Sequence, residues 1–274
     1  MSARWLLKGV GVVIAIAFLC SYGSLMLLYW LSQWQIVLHP DKAAQRQAAP
    51  PGLIRFGPDE SGQPQLTGEW LAAPQGGRHA NRTILFLAGG DGSRSDFRKT
   101  VESLQQLGIN VFNFDYRGYG LSGPVHPSQQ RMLEDSELAW SYLVGTRGIA
   151  AGSIIPYGTG IGASLAAHLA ETHKEIPAVI LDSPRADLLD LARSDPRSHL
   201  LPVDWLFHER FPLARPLSGM TTPKLLIDRR ENETPAFAAA AAPKITVKLS
   251  SDTDGVLFRQ SVTRFLDQYV LADR

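Results

Sequence analysis

The stretch "YGTGIGASLA", residues 157–166, has a residue spacing that can serve nucleophilic catalysis. Glycines two positions before and two positions after a central residue let a strand turn sharply into a helix and present the central side chain at the tip of the turn. In a working acyl-transfer site, that side chain is a serine whose hydroxyl attacks a carbonyl carbon. Here the central residue is Gly160, so the pattern predicts the turn without the hydroxyl.

Short apolar runs alternate with helix-period segments through most of the chain, and this alternation predicts the scaffold of the turn. The predicted strands are 83–88, 109–116, 153–158, 178–182, 224–228 and 245–249, with one more near 66–72; the predicted helices are 97–107, 129–146, 161–173, 186–193, 235–242 and 256–271. Such alternation is typical of an α/β fold with a mostly parallel twisted sheet and helices on both faces. Ligands bind such sheets where the strands end, so the loops after the strands should form the site.

The N-terminal part contains a charge-free run of 23 residues, 9–31. As a helix it would be about 34 Å long, enough to cross a bilayer core of roughly 30 Å. Aromatic residues at its far end favour a retained anchor with an interface belt over a cleaved signal peptide: Tyr29, Trp30 and Trp34. Two bases precede the run and the next one is Lys42, which favours an N-terminus in the cytoplasm and the rest outside it.

Composition excludes several classes of function. Lys and Arg total 27 against 26 Asp and Glu, so the chain has no overall charge that would draw it to nucleic acid. One cysteine, Cys20, allows neither an intrachain disulfide nor a cysteine-ligated zinc site. We expect no cofactor and no metal. The predicted organisation is an anchor over 1–32, a linker with the first strand or strands over 33–80, and a domain over 81–274 with a cap-like insertion at about 194–219.

Five segments carry a resemblance to a known family. They are "QIVLHP" (35–40), "ILFLAGGDGSRSD" (84–96), "GINVFNFDYRGYGLSG" (108–123), "PSQQRMLEDSELAWSYL" (127–143) and "AVILDSP" (178–184). In this order they resemble the α/β-hydrolase superfamily, most closely its small membrane-anchored branch related to serine-aminopeptidase-like hydrolases. The resemblance covers roughly residues 33–270 and implies an α/β-hydrolase fold preceded by one transmembrane helix.

The resemblance also implies where a catalytic triad would stand, and none of its three members is present. The place of the nucleophilic serine is Gly160, that of the acid is Asn232, and that of the histidine is Thr253 or a neighbour. No histidine follows His208 anywhere in the chain. Serine hydrolysis depends on an imidazole that takes the hydroxyl proton, so the resemblance predicts a fold without its usual chemistry.

Backbone groups do not depend on side chains and should survive. In the family, the oxyanion hole uses the N–H of the residue after the nucleophile, here Ile161, and one from the loop that contains Gly89 and Gly90. These three residues are the predicted ligand-binding residues. The expected ligand is a small acyl compound or anion, and a protein partner is a further possibility.

An active hydrolase of esters, thioesters or peptides is the alternative, and a scaffold held at a membrane is a third possibility. The fallback nucleophile is Ser164 with Glu231 or Glu233 as the carboxylate, although Ser164 lies one turn into the predicted helix. Other candidates receive structural interpretations: turn or cap hydroxyls for Ser122 and Ser183, surface imidazoles for His126, His168 and His173, and lining of a pocket for His199 and His208 near Trp205 and Phe207.

Overall fold

The computed structural model of the chain describes residues 3–40, 52–230, 234–249 and 255–270. Its helices are α1 (Ala3–Ser32), α2 (Trp34–Val37), α3 (Arg98–Gln105), α4 (Gln129–Ser141), α5 (Gly162–Thr172), α6 (Leu189–Ser194), α7 (Val203–Leu206), α8 (Ala214–Gly219), α9 (Pro235–Ala238) and α10 (Gly255–Tyr269). Its strands are β1 (Ile54–Pro58), β2 (Pro64–Leu71), β3 (His79–Leu87), β4 (Ile109–Asp115), β5 (Ile154–Thr159), β6 (Val179–Asp182), β7 (Lys224–Asp228) and β8 (Lys244–Lys248).

The eight strands form one sheet in the order β1-β2-β4-β3-β5-β6-β7-β8. The pairs β1 with β2 and β2 with β4 are antiparallel, and every pair from β4 to β8 is parallel. The central strands are apolar and fully buried, as expected for parallel strands covered on both sides. The predicted mostly parallel α/β fold is therefore confirmed, and the carboxyl ends of β3, β5, β6 and β7 meet at one edge.

Each of the six main apolar runs became a strand, and the predicted strand near 66–72 corresponds to β2. Strand β1 was not predicted, because its sequence "IRFGP" ends in glycine and proline, which usually mark turns. The predicted helix 129–146 is α4 followed by one π-helical turn, Tyr142–Thr146. Strand runs were thus more readily predicted than the exact ends of helices.

The chain divides into two compact units. The first, here called the anchor unit, comprises Met1–Val37 and Leu189–Glu209, and the second, the sheet unit, comprises Leu38–Leu188 and Arg210–Arg274. The predicted boundaries at residues 32 and 80 divide the chain into consecutive segments. The anchor unit instead joins α1 to a segment far along the chain, Leu189–Glu209, here called the insertion. In the anchor unit α1 contacts α7. Helix α1 is long and apolar enough over Leu7–Ser32 to cross a membrane, with a mean hydropathy of 2.2.

One residue of the predicted aromatic belt is covered by protein. Tyr29 is buried within the anchor unit, and the Arg197 guanidinium lies 5.8 Å from the centre of its ring. Tyr29 shares a helix face with Gln33, whose side chain donates to the backbone oxygen of Leu206 at 3.3 Å. This face therefore packs on the insertion, while Trp30, on a neighbouring face, stays exposed.

Candidate functional site

The strand-to-helix turn predicted from the glycine spacing is present. Strand β5 ends at Thr159, Gly160 follows with φ of +56°, and α5 begins at Gly162. A Cβ on Gly158 would collide with the carbonyl oxygen of Gly162, and a Cβ on Gly162 would collide with that of Leu87. The glycines on either side of the tip are therefore required by backbone packing, because helix and strands approach too closely for any side chain.

The tip itself has room for a small side chain but carries none. Gly160 is partly exposed, and among the described residues a Cβ there would meet only the Cα of Gly89, at 3.3 Å. Three backbone hydrogen bonds fix the tip: its N–H donates to the backbone oxygen of Asp182 at 3.2 Å, and its oxygen accepts from the N–H groups of Arg185 at 2.9 Å and Ala163 at 3.3 Å. The turn thus keeps the left-handed conformation of a nucleophile position without a hydroxyl.

We expect Gly160→Ala to lower the free energy of unfolding by about 1–2 kcal/mol, because a side chain at positive φ is strained. Gly76→Ala is the matched control, since Gly76 has φ of +74° and no described atom within 4 Å of its Cβ position. Urea denaturation of both variants measures the two costs. A larger loss for Gly160→Ala would report the contact with Gly89, and no loss for either variant would contradict the argument.

Backbone groups of two loops converge on the tip. Gly89 approaches Gly160 directly, and the adjacent Gly90 is packed so tightly that its Cβ would lie 2.6 Å from the Ile161 side chain. The oxygen of Gly90 accepts hydrogen bonds from the His39 N–H at 2.9 Å and from the Tyr119 hydroxyl at 3.0 Å. Gly89 therefore packs against the tip and Gly90 against Ile161, and the loop that carries the two glycines is held in place.

Charged side chains from neighbouring loops meet near the tip. Sequence reasoning missed two of them, Asp91 and Arg185. The Arg185 guanidinium donates to the Asp91 carboxylate at 2.7 Å, and Nδ1 of His39 lies 3.7 Å from the same oxygen. Asp91 follows β3 and Arg185 follows β6, and β5 lies between these strands, so the ion pair spans the tip of β5. The histidine of "QIVLHP" was a visible signal, but only the strand order shows what it approaches.

This ion pair is weak enough to open. The Asp91 and Arg185 side chains are 56% and 34% exposed. Pairs at this exposure contribute about 0–1 kcal/mol, because water and salt screen both charges. A ligand that offers an oxygen anion could therefore take the place of Asp91 on Arg185 at little cost.

The fallback nucleophile Ser164 points elsewhere. It is buried on α5, and its hydroxyl donates to the backbone oxygen of Phe211 at 2.7 Å. It also lines a cavity of about 340 Å³ beside α5, together with His168 and Phe211. The proposed carboxylate partners Glu231 and Glu233 lie outside the described residues. The described partner of the Ser164 hydroxyl is thus a backbone carbonyl oxygen, which accepts a hydrogen bond but is not a base that could remove the proton.

Ser122 and Ser183 also have structural partners. The Ser122 hydroxyl donates to the oxygen of Asp115 at 2.6 Å and accepts from the N–H of Thr67 at 2.9 Å. The Ser183 hydroxyl donates to the Asp182 carboxylate at 2.7 Å. These bonds fit the structural interpretation of both hydroxyls.

The histidines considered as bases have contacts of their own. His173 lies 2.8 Å from the Glu137 carboxylate and stacks on Trp140, and His168 is an exposed residue of α5 near the same glutamate. In the anchor unit, Nδ1 of His208 is 2.7 Å from the Gln33 side chain. None of these recorded contacts involves the tip at Gly160.

The positions of the acid and the base, Asn232 and Thr253, lie outside the described residues. The residues just before the acid position are ordered by Asp228, whose carboxylate accepts from the N–H groups of Arg230 and Thr234 at 3.0 and 2.7 Å. Burial alone would raise the pKa of Asp228, but these hydrogen bonds outweigh it and hold the pKa below its ordinary value. Asp228 is therefore ionised and holds Arg230 and Thr234 at the end of β7.

A buried carboxylate, Asp182, joins the ends of three strands beside the tip. It accepts from the Tyr157 hydroxyl at 2.6 Å and pairs with the Arg229 guanidinium at 3.2 Å. Burial raises the pKa of Tyr157 well above its ordinary value, so this phenol stays protonated and donates. Arg229 also lines a cavity of about 480 Å³ with Asp96, Lys99, Thr100, Ser103, Gly255 and Phe258.

Comparison with known proteins agrees with this architecture. The family model described as serine aminopeptidase, S33, matches residues 78–253, which is more than half of the chain. The chain belongs to this family of α/β hydrolases. An uncharacterised protein of Mycobacterium tuberculosis is 27% identical over 274 residues, covering 93% of this chain and 94% of its own.

Other members of the superfamily match less of the sequence. The lysophosphatidylserine lipase ABHD12 of Gallus gallus is 32% identical over 146 residues, which is 50% of this chain and 38% of the lipase. Among solved structures, an esterase of Pyrococcus furiosus superposes with a TM-score of 0.64 at 19% identity, covering 85% of this chain and 98% of the esterase. At this identity the superposition establishes the shared fold alone.

Proposed function

We propose that this chain is a membrane-anchored member of the α/β-hydrolase family that no longer catalyses hydrolysis and binds a ligand in the crevice at Gly160. One observation carries the proposal: the elbow keeps its left-handed tip and its neighbouring backbone groups, while the tip has no side chain. Loss of one essential triad member costs about 10⁶ in turnover in enzymes of this kind. Here the sequence lacks the family's serine and histidine at their positions, and Asn232 replaces its acid.

The retained groups favour a particular ligand chemistry. The N–H groups of Ile161 and of the Gly89–Gly90 loop suit a carbonyl oxygen or a small anion, as in an oxyanion hole. Arg185 adds a cation that an anionic oxygen could reach by displacing Asp91. One relative is named as a lysophosphatidylserine lipase, which supports an acyl compound as the ligand. We therefore expect a carboxylate with an acyl chain to bind better than the matching neutral ester.

Ligand binding can be tested with fatty acids of medium chain length and with their methyl esters, using thermal shift and calorimetry on the full chain in detergent. We expect Arg185→Gln to weaken carboxylate binding about tenfold, because it removes a charged hydrogen-bond donor. Asp91→Asn should strengthen binding, because it removes the competing anion.

Arg193→Gln is the control for a lost surface arginine, since Arg193 is also exposed and ion-paired but belongs to the anchor unit. If Arg185→Gln and Arg193→Gln weakened carboxylate binding equally, Arg185 would not be part of the binding site. Absence of binding by any acid or ester in the wild-type protein would contradict the proposed function.

Anchoring is the second part of the proposal. Helix α1 contains the charge-free run 9–31 and has the length and mean hydropathy of a membrane span. The bases that precede the run favour an N-terminus in the cytoplasm and a sheet unit outside it. Protease added to intact cells should then cut the sheet unit, and its full protection would contradict this orientation.

A second candidate function rests on the placement of His39. Its imidazole lies 3.7 Å from the Asp91 carboxylate, and its backbone N–H donates to Gly90 of the loop beside the tip, so it could take a proton from water. The water oxygen would attack an ester carbonyl held by those groups, and the imidazolium would return the proton to the departing alkoxide. This differs from the alternative predicted from the sequence, an active hydrolase with Ser164 as its nucleophile, because water takes the place of the serine.

A further inference from the structure

Two apolar side chains in the anchor unit are largely exposed. Trp205 is 77% exposed and Leu200 is 69% exposed. Outside α1, they are the most exposed large apolar residues in the part of the chain that the structure describes. Both belong to the insertion Leu189–Glu209, so the insertion presents a small apolar surface to its surroundings.

This surface is continuous with the apolar helix. The Tyr22 hydroxyl of α1 donates to the backbone oxygen of Leu200 at 3.1 Å, and α7, which contains Trp205, contacts α1. A second link joins the end of α1 to the end of the insertion, where Gln33 accepts from the N–H of His208 at 2.8 Å. The insertion is therefore attached along the last part of α1.

The length of α1 indicates the depth in the bilayer at which the insertion is attached. Residues 7–25 are exposed on every side and would extend about 28 Å, close to the thickness of a hydrocarbon core. From Met26 onward, the helix begins to bury residues against the insertion. Tyr22 lies within one turn of this change, so its partner Leu200 stands where the core gives way to the headgroups.

Both arginines of the insertion are ion-paired within it. Arg193 pairs with Asp190 at 2.9 Å and with Asp204 at 2.8 Å, and Arg197 pairs with Asp195 at 2.7 Å. Each base is therefore neutralised within the insertion, next to apolar residues that remain exposed. Tryptophan is enriched in the interfacial layer of membranes, since its ring is apolar and its N–H can still donate.

We propose that the insertion Leu189–Glu209 is a second membrane contact, with Leu200 and Trp205 inserted into the interfacial layer of the same bilayer that α1 crosses. The inference rests on the proposed anchoring by α1. Its occupant is the lipid bilayer, because the exposed apolar residues adjoin the one helix of the described chain that can span a membrane.

Spin labelling of the full chain in nanodiscs of phosphatidylcholine and phosphatidylglycerol tests the inference. The native Cys20 is exposed on α1 and serves as the reference inside the bilayer. Leu200→Cys and Trp205→Cys, each in a Cys20→Ser background, report on the insertion. Asp190→Cys is the matched control, because Asp190 is a charged and highly exposed residue of the same insertion.

We expect labels at 200 and 205 to resemble Cys20, with oxygen reaching them several-fold better than a water-soluble nickel complex, and the label at 190 to show the opposite. Labels at 200 and 205 that behave like the one at 190, while Cys20 is in lipid, would overturn the inference and leave the anchor intact. A water-accessible Cys20 would overturn both.

Native fluorescence gives an independent measurement on a protein without labels. Brominated lipids should quench part of the tryptophan emission of the wild-type protein, and Trp205→Phe should lose a quenched component. An unchanged quenched fraction in Trp205→Phe would count against insertion of Trp205.

Discussion

Gly162→Ala is expected to destabilise the folded protein by about 3 kcal/mol or more. A Cβ at this position would overlap the backbone oxygen of Leu87 and approach that of Ala88 to 2.7 Å. Overpacking usually costs about 1–3 kcal/mol, and here the opposing atoms are backbone atoms of a central strand that cannot rotate away. Thermal and urea unfolding measure the loss.

Gly145→Ala is the control for this prediction. Gly145 lies in the π-helical turn after α4, and no described atom comes within 4 Å of its Cβ position. Alanine there should leave stability unchanged or raise it by up to about 1 kcal/mol. If Gly162→Ala were as stable as Gly145→Ala, the close approach of α5 to β3 would not be a constraint on the elbow.

Asp135→Ala should lower the free energy of unfolding by about 3–5 kcal/mol. The Asp135 carboxylate is fully buried and accepts from the backbone N–H of Arg117 at 2.8 Å and from its guanidinium at 2.6 Å. Removing one partner of a buried pair is strongly destabilising, and Arg117 would keep only the half-exposed Glu134 as a carboxylate partner among the described residues. Arg117 belongs to "DYRGYGLSG", so this loss would also release the loop after β4.

The same arginine supplies the control. Glu134 pairs with Arg117 at 2.7 Å, but its side chain is 48% exposed, so Glu134→Ala should cost no more than about 1 kcal/mol. Comparable losses in the two variants would mean that burial of the carboxylate does not decide the energy of the pair.

Asp135 also predicts a dependence on pH. Burial raises its pKa to about 6, although Arg117 opposes the shift. The folded protein therefore binds this proton at a higher pH than the unfolded chain, whose aspartate keeps a pKa near 3.8. Relative to Asp135→Asn, wild-type stability should rise by up to about 2–3 kcal/mol as the pH falls from above 6 to below 4. A constant difference across this range would contradict the shift.

Features of the fold and of the site could be predicted from the sequence where they depend on residues close together along the chain. The glycines at 158, 160 and 162 fix the elbow by their own backbone geometry, so the sequence alone indicated it. The apolar runs likewise predicted β3 to β8, since each run is β-branched or aromatic and bounded by turn residues.

Features that depend on strand order or tertiary contact escaped prediction. His39, Asp91 and Arg185 come from three distant segments, and only the position of β5 between β3 and β6 brings the last two together across the tip. Tyr29 was assigned to the membrane interface by its place in the sequence, yet the insertion buries it. A pattern along the chain carries no information about a segment some 170 residues away that covers it.

The proposed absence of hydrolysis is tested most directly by treating the full chain in detergent with a fluorophosphonate probe and, in parallel, with short-chain p-nitrophenyl esters. We predict neither labelling nor hydrolysis above the background without protein, and no change in Ser164→Ala or His39→Ala. Labelling that Ser164→Ala abolishes, or ester hydrolysis that His39→Ala abolishes, would show a working active site and contradict the proposal.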